Sequence, residues 1–451
     1  MTFKEAILKH NGLKIMAERL PVASALGRQR LYQTEFSTDK MWIEKELSLT
    51  TIVQKYLCAE INRKNLKKLR NLLSETHNIN GSLQLLEKKL VLDDISFFEI
   101  KFFALKCGKI RSILFDLPAD ELILPDLNEI VQLLDPEGLE TQQFYIYAAY
   151  EPKLAKLRKS YNEMQNEDIF IKIREIEDKI RVELSENLIK YIEILYSAMD
   201  IVAAIDVNFA KAELYSQWAM QRPQVVEDAL IFNDLTYPPA KEKLMADGKT
   251  FQPITVSINY KPVLLTGANM AGKTMLLSSL AFAQFCLQFG FFVAAKSAKM
   301  SLVEDILTSI GDFQNENDGL SSFAAEILHI NTIIQHFKNK KRYLVLIDEL
   351  ARTTNPYEGA ALVRGFVNIM AAYKTFSVVT THYSVDDVKA RRLRVRGFVN
   401  HNLTPPVNIK DIVKNMDYSL IEDNSVAAPQ EALNLAKLLA IDTDWIKNAM
   451  N

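Results

Sequence analysis

The sequence predicts an all-α part over residues 1–229, followed by an α/β part. The stretch from Lys153 to Arg222 contains neither glycine nor proline and is rich in Leu, Ile, Ala, Glu and Lys, a composition typical of long helices. Nine of the 14 glycines lie after position 240. In that second part short apolar runs alternate with helix-like stretches, which is the pattern of an α/β sheet covered on both faces.

The helical part is expected to contain a long arm. A single helix over 153–222 would extend roughly 100 Å, so the better prediction is a hairpin that turns near 162–168. We expect this hairpin to act as an arm or lever, with an ordinary helical bundle as the alternative. The spacing of Leu13, Met16 and Leu20 predicts a further helix near the N-terminus.

Composition and charge argue against several classes of protein. Lys and Arg number 54 and Asp and Glu 56, a net charge of −2, whereas dedicated nucleic-acid binders usually carry a basic excess. The cysteines Cys58, Cys107 and Cys286 are too far apart for a CxxC metal site, and their odd number suits a reducing compartment. No run of about 18 apolar residues is present. A cytoplasmic protein without a membrane span is therefore expected.

A phosphate-binding motif stands at the start of the α/β part. The P-loop pattern G-x-x-x-x-G-K-[ST] occupies 267–274, after a predicted strand at 263–265 and before a predicted helix at 275–289. The glycines let backbone N–H groups point at phosphate oxygens, and the helix adds its positive end. The predicted ATP-binding residues are Gly267, Ala268, Asn269, Met270, Ala271, Gly272, Lys273, Thr274 and Met275.

Polar side chains follow two further predicted strands. The apolar run 344–347 ends in Asp348 and Glu349, and the run 376–379 leads to His382. An acidic pair is more often a solvated turn, and a lone histidine is usually structural. Ligands of open α/β sheets nevertheless lie at the carboxyl ends of strands, where these three side chains are expected.

Together these side chains predict a Mg²⁺-dependent ATPase. Lys273 is expected to reach the β- and γ-phosphates, and Thr274 and Asp348 are expected to hold Mg²⁺. Glu349 is placed to orient and deprotonate the attacking water, and His382 to sense the γ-phosphate or position that water. The predicted catalytic residues are therefore Lys273, Glu349 and His382.

The residues of these motifs resemble those of the MutS family more closely than those of a general P-loop protein. Residues 266–274 (TGANMAGKT) resemble its TGPNMGGK[ST], residues 348–359 resemble its DE[IL]GRGT segment, and residues 381–383 match its THY. Residues 311–326 (GDFQNENDGLSSFAAE) are similar to its signature loop. The resemblance implies that Ser321 contacts the γ-phosphate bound by a partner subunit.

The resemblance implies an ABC-type P-loop ATPase that works as a dimer. A helical core and lever domain over 1–229 would precede the ATPase domain over 230–420, and a helical tail over 421–451 would clasp a neighbouring subunit. The dimer would be a homodimer or a pair with a paralogous subunit. Several positions depart from the family pattern, none of them a catalytic group: Ala268 replaces proline, and Ala271, Ala351 and Thr353 replace glycines.

Parts of a full-length MutS are expected to be missing. The resemblance starts at the family's core domain, which leaves no room for mismatch-reading and connector domains, and the unbroken helical stretch leaves none for a clamp. A Phe-x-Glu at 97–99 is predicted to pack in a helix and not to probe DNA. Residues 151–222 carry 11 basic and 13 acidic side chains. The basic cluster 389–396 is predicted to be a solvated turn, with a modest nucleic-acid patch as the alternative.

Two functions remain open at this stage. The family favours an ATPase that acts on mismatched or branched DNA, whereas the neutral arm favours a protein-remodelling ATPase. One such use of a shortened MutS-like chain is the reactivating factor of the B12-dependent lysine 5,6-aminomutase. A nucleotide-bound dimer without turnover is disfavoured because Lys273, Asp348, Glu349 and His382 are all present.

Overall fold

The architecture confirms a helical first part and a mixed α/β second part. A computed structural model describes residues 1–141, 143–267, 272–310, 322–337, 341–399, 406–408, 412, 414–423 and 436–450. Up to residue 218 the described chain forms helices, and the strands begin at Gln224. None of the helices described combines the length and apolar composition that crossing a bilayer requires.

The helices of the first part are mostly short, and only α10 and α11 exceed 20 residues. They are α1 (Phe3–Lys9), α2 (Asn11–Arg19), α3 (Ala25–Gln33), α4 (Lys40–Tyr56), α5 (Glu60–Ser74), α6 (Asn80–Glu87), α7 (Asp94–Ile113), α8 (Asn128–Leu134), α9 (Pro152–Met164), α10 (Glu167–Ile189) and α11 (Ile192–Trp218). The Phe-x-Glu residues lie in α7, where Phe97 is fully buried, as packing in a helix requires.

Helices α9 and α10 form a hairpin whose turn lies where it was predicted, but the stretch 153–222 contains three helices and not two, because α10 ends at Ile189 and α11 begins at Ile192. The turn consists of Gln165, in a left-handed conformation with φ 46°, and Asn166, whose side chain caps α10 by accepting from the Asp168 N–H. Across the hairpin Arg158 pairs with Glu177 at 2.6 Å. The charged side chains of this arm are therefore partly satisfied by one another.

The second part contains two sheets. Its strands are β1 (Gln224–Val225), β2 (Leu230–Leu235), β3 (Ile254–Ile258), β4 (Val263–Thr266), β5 (Ser297–Met300), β6 (Asp305–Ser309), β7 (Tyr343–Ile347), β8 (Phe376–Thr380), β9 (Arg391–Phe398) and β10 (Met416–Glu422). Its helices are α12 (Pro238–Ala246), α13 (Lys273–Gln288), α14 (Ser322–Phe337), α15 (Pro356–Met370) and α16 (Thr443–Met450). The order is β1-β5-β2-β3 in the smaller sheet and β10-β9-β4-β8-β7-β6 in the larger one.

The larger sheet is parallel except at one edge. Strands β9, β4, β8, β7 and β6 run parallel to their neighbours, and only β10 is antiparallel. Strands β7 and β8 are buried along their whole length, which explains their uninterrupted apolar runs in the sequence. The parallel arrangement brings the carboxyl ends of β4, β8 and β7 together at one edge.

The prediction of a solvated turn at the basic cluster is wrong for Arg391–Arg396, which lie in strand β9. The buried residues Leu393 and Val395 alternate with the arginines, and this period of two is that of a strand. Acidic residues in β10 or just after it pair with three of these arginines: Arg391 with Glu422, Arg394 with Asp423 and Arg396 with Asp417.

The start of the chain shares a core with the α/β part. Phe3 of α1 stacks on Phe291 at 5.7 Å and meets Phe289 edge-on at 5.2 Å, both just after α13. His10 lies against Phe282 of α13 at 6.2 Å, and burial lowers the pKa of His10 to about 4. The predicted helix containing Leu13 and the other apolar residues is α2, which belongs to the same core.

The described C-terminal residues end in α16. Asp442 accepts hydrogen bonds from the Asp444 and Trp445 N–H groups and is therefore the N-cap of this helix. Residues 424–435 of the predicted dimerisation tail lie outside the described residues.

A buried cation joins α11 to the end of α13. Lys211 donates to the Gly290 carbonyl at 2.9 Å and pairs with Glu46 of α4 at 3.2 Å. Burial lowers the pKa of Lys211, and Glu46 opposes this shift. Arg30 lies 3.7 Å from the same Glu46 carboxylate. The Lys211–Glu46 pair thus connects α4, α11 and the segment just after α13 at one buried position.

Replacing Lys211 with alanine is expected to lower the free energy of unfolding by about 3 to 5 kcal/mol, because it leaves the Glu46 carboxylate buried with less compensation. The measurement is a urea titration followed by circular dichroism. Lys45→Ala is the control: Lys45 is next to Glu46 in α4 and pairs with Glu121, but both of these side chains are about half exposed. Its expected change is below about 0.5 kcal/mol. Equal midpoints for both variants would contradict the role given to Lys211.

Candidate functional site

The candidate site lies at the carboxyl edge of β4, β8 and β7. Leu265 of β4 is aligned with Thr380 of β8, and Ile347 of β7 with Val379 of β8. Each strand leads directly into polar residues at this edge. The strand order therefore brings together segments that are far apart in the sequence.

The P-loop follows β4 and leads into α13. Gly272 has φ 75°, a left-handed conformation that suits glycine, and a Cβ there would lie 3.2 Å from the Tyr418 ring. The next residue, Lys273, is buried and donates from Nζ to the Gly267 carbonyl at 2.8 Å. Ala268, Asn269, Met270 and Ala271 lie outside the described residues.

Thr274 and Asp348 lie side by side, as predicted. The Thr274 hydroxyl donates to Asp348 Oδ2 at 2.5 Å. Both groups offer oxygen, which suits Mg²⁺, an ion that is usually bound through one or two carboxylates together with substrate phosphates. Among the described residues no group of three or more His, Cys, Asp or Glu side chains could hold a metal by itself. The donor set therefore fits a phosphate-bound Mg²⁺ better than a resident structural metal.

Glu349 contacts the P-loop lysine. Its Oε1 lies 3.2 Å from Lys273 Nζ, and its Oε2 lies 3.7 Å from Arg352 Nη1. The backbone of Glu349 has φ 48°, which is uncommon for a residue with a side chain. Its N–H donates to the Thr380 hydroxyl at 2.8 Å.

His382 stands at the same edge, after β8. The pKa of His382 lies below its usual value because the surrounding protein partly removes the ring from water, while Glu349 opposes the shift. The imidazole is therefore mainly neutral near pH 7. Its ring centroid lies 4.2 Å from that of Tyr383.

Two hydrogen bonds to Ala351 stabilise the turn that follows Glu349. Ala351 has φ 59° and stands where the family pattern has glycine. Its N–H donates to Glu326 of α14 at 2.9 Å, and its carbonyl accepts from the Tyr383 hydroxyl at 2.7 Å. Burial raises the pKa of Glu326, and the Ala351 N–H opposes that shift. These two hydrogen bonds maintain a conformation that alanine does not favour.

The structure brings most of the predicted site together. The residues that it places at this edge are Gly267, Gly272, Lys273, Thr274, Asp348, Glu349 and His382. Met275 lies in the first turn of α13 and packs against the core. Ser321 lies outside the described residues. Sequence reasoning missed Thr380 and Glu326; only the position of Thr380, at the end of β8 and two residues before His382, could have pointed to it.

Residues 263–450 match the family model for MutS domain V. The match begins with β4 and includes Lys273, Asp348, Glu349 and His382 of the site. Over residues 263–450, the chain is therefore similar to the MutS family.

Curated relatives of the MutS family match the same part. Endonuclease MutS2 of Agathobacter rectalis is 32% identical over 236 residues, which cover 52% of this chain and 29% of the relative. The DNA mismatch repair protein MutS of Chlamydia trachomatis is 30% identical over 254 residues, 54% of this chain and 30% of the relative. Endonuclease MutS2 of Leuconostoc mesenteroides is 26% identical over 292 residues, which cover 64% of this chain and 35% of the relative. Each match spans about a third of the relative's length.

Tyr383 depends on a glycine in α15. A Cβ on Gly359 would lie 2.5 Å from a Tyr383 ring carbon, so Gly359→Ala must displace the ring that holds Ala351. We expect a loss of about 1 to 3 kcal/mol of unfolding free energy. Gly365→Ala is the control in the same helix, since nothing lies within 4 Å of its Cβ position. It should stabilise the protein by up to about 1 kcal/mol. Urea unfolding that shifts both variants in the same direction would contradict this arrangement.

Proposed function

We propose that the chain is a Mg²⁺-dependent ATPase. The observation that carries the proposal is the convergence of Lys273, the Thr274–Asp348 pair and Glu349 at one sheet edge. Phosphoryl transfer requires a cation that binds the phosphates, oxygen atoms that bind a metal, and a carboxylate that orients the attacking water. Mg²⁺, when bound, would neutralise charge on the phosphates.

Each of these side chains has its own role in hydrolysis. Lys273 binds the terminal phosphates, and in doing so it exchanges its contact with Glu349 for one with phosphate oxygens. Glu349 is then available to orient the attacking water and to accept its proton. Neutral His382 donates or accepts a hydrogen bond near the γ-phosphate without adding charge. Thr274 and Asp348 hold the metal.

We further propose that two such subunits form a dimer with shared sites. The basis is the resemblance of the segment 311–326 to the family's signature loop, in which Ser321 would contact a nucleotide held by the partner subunit. The helix that follows this loop, α14, carries Glu326, which is bonded to the turn after Glu349. The signature loop is thereby continuous with an element that supports the site of its own subunit. The domain division 1–229, 230–420 and 421–451 is part of the same proposal.

Glu349→Gln is expected to lower the ATP hydrolysis rate roughly 100-fold or more while leaving ATP binding intact, because it removes the base but no phosphate ligand. Phosphate release and equilibrium binding of a fluorescent ATP analogue measure the two effects. With ATP, the variant should accumulate as a dimer in analytical ultracentrifugation. Glu304→Gln, a change in an exposed carboxylate paired with Lys341, is the control and should leave the rate unchanged. Hydrolysis at the normal rate by Glu349→Gln would show that Glu349 is not the base.

We propose DNA as the macromolecule on which the ATPase acts. The support is family-level: matched relatives are named DNA mismatch repair protein and endonuclease. ATP binding would close the dimer and move the helical part, changing its grip on a mismatched or branched duplex.

A protein client is the second candidate, and the α9–α10 hairpin favours it. Residues 151–189 carry 8 basic and 9 acidic side chains, a balance of −1, which does not suit a surface that neutralises phosphates. The hairpin also exposes apolar side chains near its turn, Met164 at 70% and Ile171 at 50%. A protein-remodelling ATPase, such as the MutS-like subunit of a reactivating factor for B12-dependent lysine 5,6-aminomutase, would use such a surface.

The ATPase rate with and without DNA separates these candidates. For a DNA-acting protein, mismatched or branched duplex should raise the rate, and the effect should fall steeply between 50 and 200 mM salt as counterion release predicts, roughly 10³-fold or more in affinity for six or more phosphate contacts. Single-stranded DNA and fully paired duplex are the comparison substrates. Basal hydrolysis that no DNA changes at either salt concentration would exclude the DNA proposal and favour a protein client.

A further inference from the structure

Thr380 occupies the centre of the catalytic edge. It is the last residue of β8, and β8 lies between the P-loop strand β4 and the Asp348 strand β7. Its side chain is fully buried. No nucleotide contact is assigned to it above, and its hydroxyl does not face solvent. A polar group in this position must be satisfied by the protein itself.

The Thr380 hydroxyl bonds to both acidic residues of the site. It donates to Asp348 Oδ1 at 2.7 Å and accepts the Glu349 N–H at 2.8 Å. The directions are fixed, because a backbone N–H can only donate and a hydroxyl has a single proton. The Asp348 carboxylate is then held from two sides, by Thr380 at Oδ1 and by Thr274 at Oδ2.

The bond to the Glu349 N–H also acts on the backbone. Glu349 has φ 48°, a conformation that costs a residue with a side chain roughly 1 to 2 kcal/mol. The Thr380 bond stabilises it at the point where the chain leaves β7. In this conformation the Glu349 carboxylate reaches Lys273 at 3.2 Å. One hydroxyl therefore fixes the orientation of the metal-binding carboxylate and of the residue proposed as the base.

We propose that Thr380 is a positioning residue, whose hydroxyl sets the geometry of Asp348 for the metal and of Glu349 for the attacking water. The proposal rests on the proposed ATPase function and adds to it a residue that touches neither substrate nor metal. It requires the hydroxyl itself, and not merely a β-branched side chain of this size at the end of β8.

The test compares Thr380→Val, which keeps the shape and removes the hydroxyl, with Thr380→Ser, which keeps the hydroxyl. Thr375→Val is the matched control, since it makes the same change at the entrance of β8, where the hydroxyl is buried but has no hydrogen-bond partner in the described part of the chain. Steady-state kinetics give kcat and KM for ATP for each variant, and binding measurements give the affinity for ADP with and without Mg²⁺. Thermal unfolding shows that each variant is folded.

We expect Thr380→Val to lower kcat and to reduce the gain in ADP affinity from Mg²⁺, each by roughly tenfold, the effect of losing hydrogen bonds to two partly buried groups. ADP affinity without Mg²⁺ should stay within about twofold of the unchanged protein, because the P-loop is untouched. Thr380→Ser should recover most of both losses, and Thr375→Val should show neither.

Two results would overturn the proposal. One is a Thr380→Val variant with the kcat and Mg²⁺ dependence of the unchanged protein. The other is a Thr380→Ser variant as impaired as Thr380→Val, which would assign the effect to packing. A protein that binds ADP with Mg²⁺ but hydrolyses no ATP would refute the ATPase function instead. In that case the Mg²⁺ dependence of ADP binding in the two Thr380 variants still decides the role of the hydroxyl.

Discussion

The carboxylate of Asp348 is the group on which the geometry of the site depends. It accepts one hydrogen bond from Thr274 at the start of α13 and one from Thr380 at the end of β8. Its own N–H donates to the Ser309 carbonyl at the end of β6. A single residue thus connects the first turn after the P-loop with three strands of the larger sheet. The bond from Thr380 is partly buried, which protects it from competing water, whereas the bond from Thr274 is exposed.

Sequence patterns predicted the strands and the helix of this site with little error, for a physical reason. Strands buried on both faces need unbroken apolar runs, so β7 and β8 can be recognised from a few consecutive residues. The helix predicted after the P-loop, from Met275, begins two residues earlier, at Lys273. Asp348 could be assigned because it directly follows such a run.

Other features of the site could not be predicted, because they depend on which strands become neighbours. The hydroxyl of Thr380 reaches Glu349 only because β8 lies next to β7. The contact of Glu326 with Ala351 likewise joins a helix to a distant turn. Strand β9 was missed for the same reason: its arginines look solvated until the acidic residues of β10 are placed beside them. Interactions that neutralise charge across strands leave no local pattern.

Polar contacts at the C-terminal end of α13 connect the candidate site to the helical part of the chain. This helix begins at Lys273, and its last residue, Gln288, exchanges hydrogen bonds with Ser37 in the segment before α4. Just beyond it, the Phe292 N–H donates to the Tyr215 hydroxyl of α11 at 3.0 Å. All these groups are buried or partly buried, so sliding α13 relative to α11 would leave polar atoms unpaired. These contacts would resist a displacement of α13 relative to α11. Within the proposed function, this junction is where nucleotide binding would move the helical part.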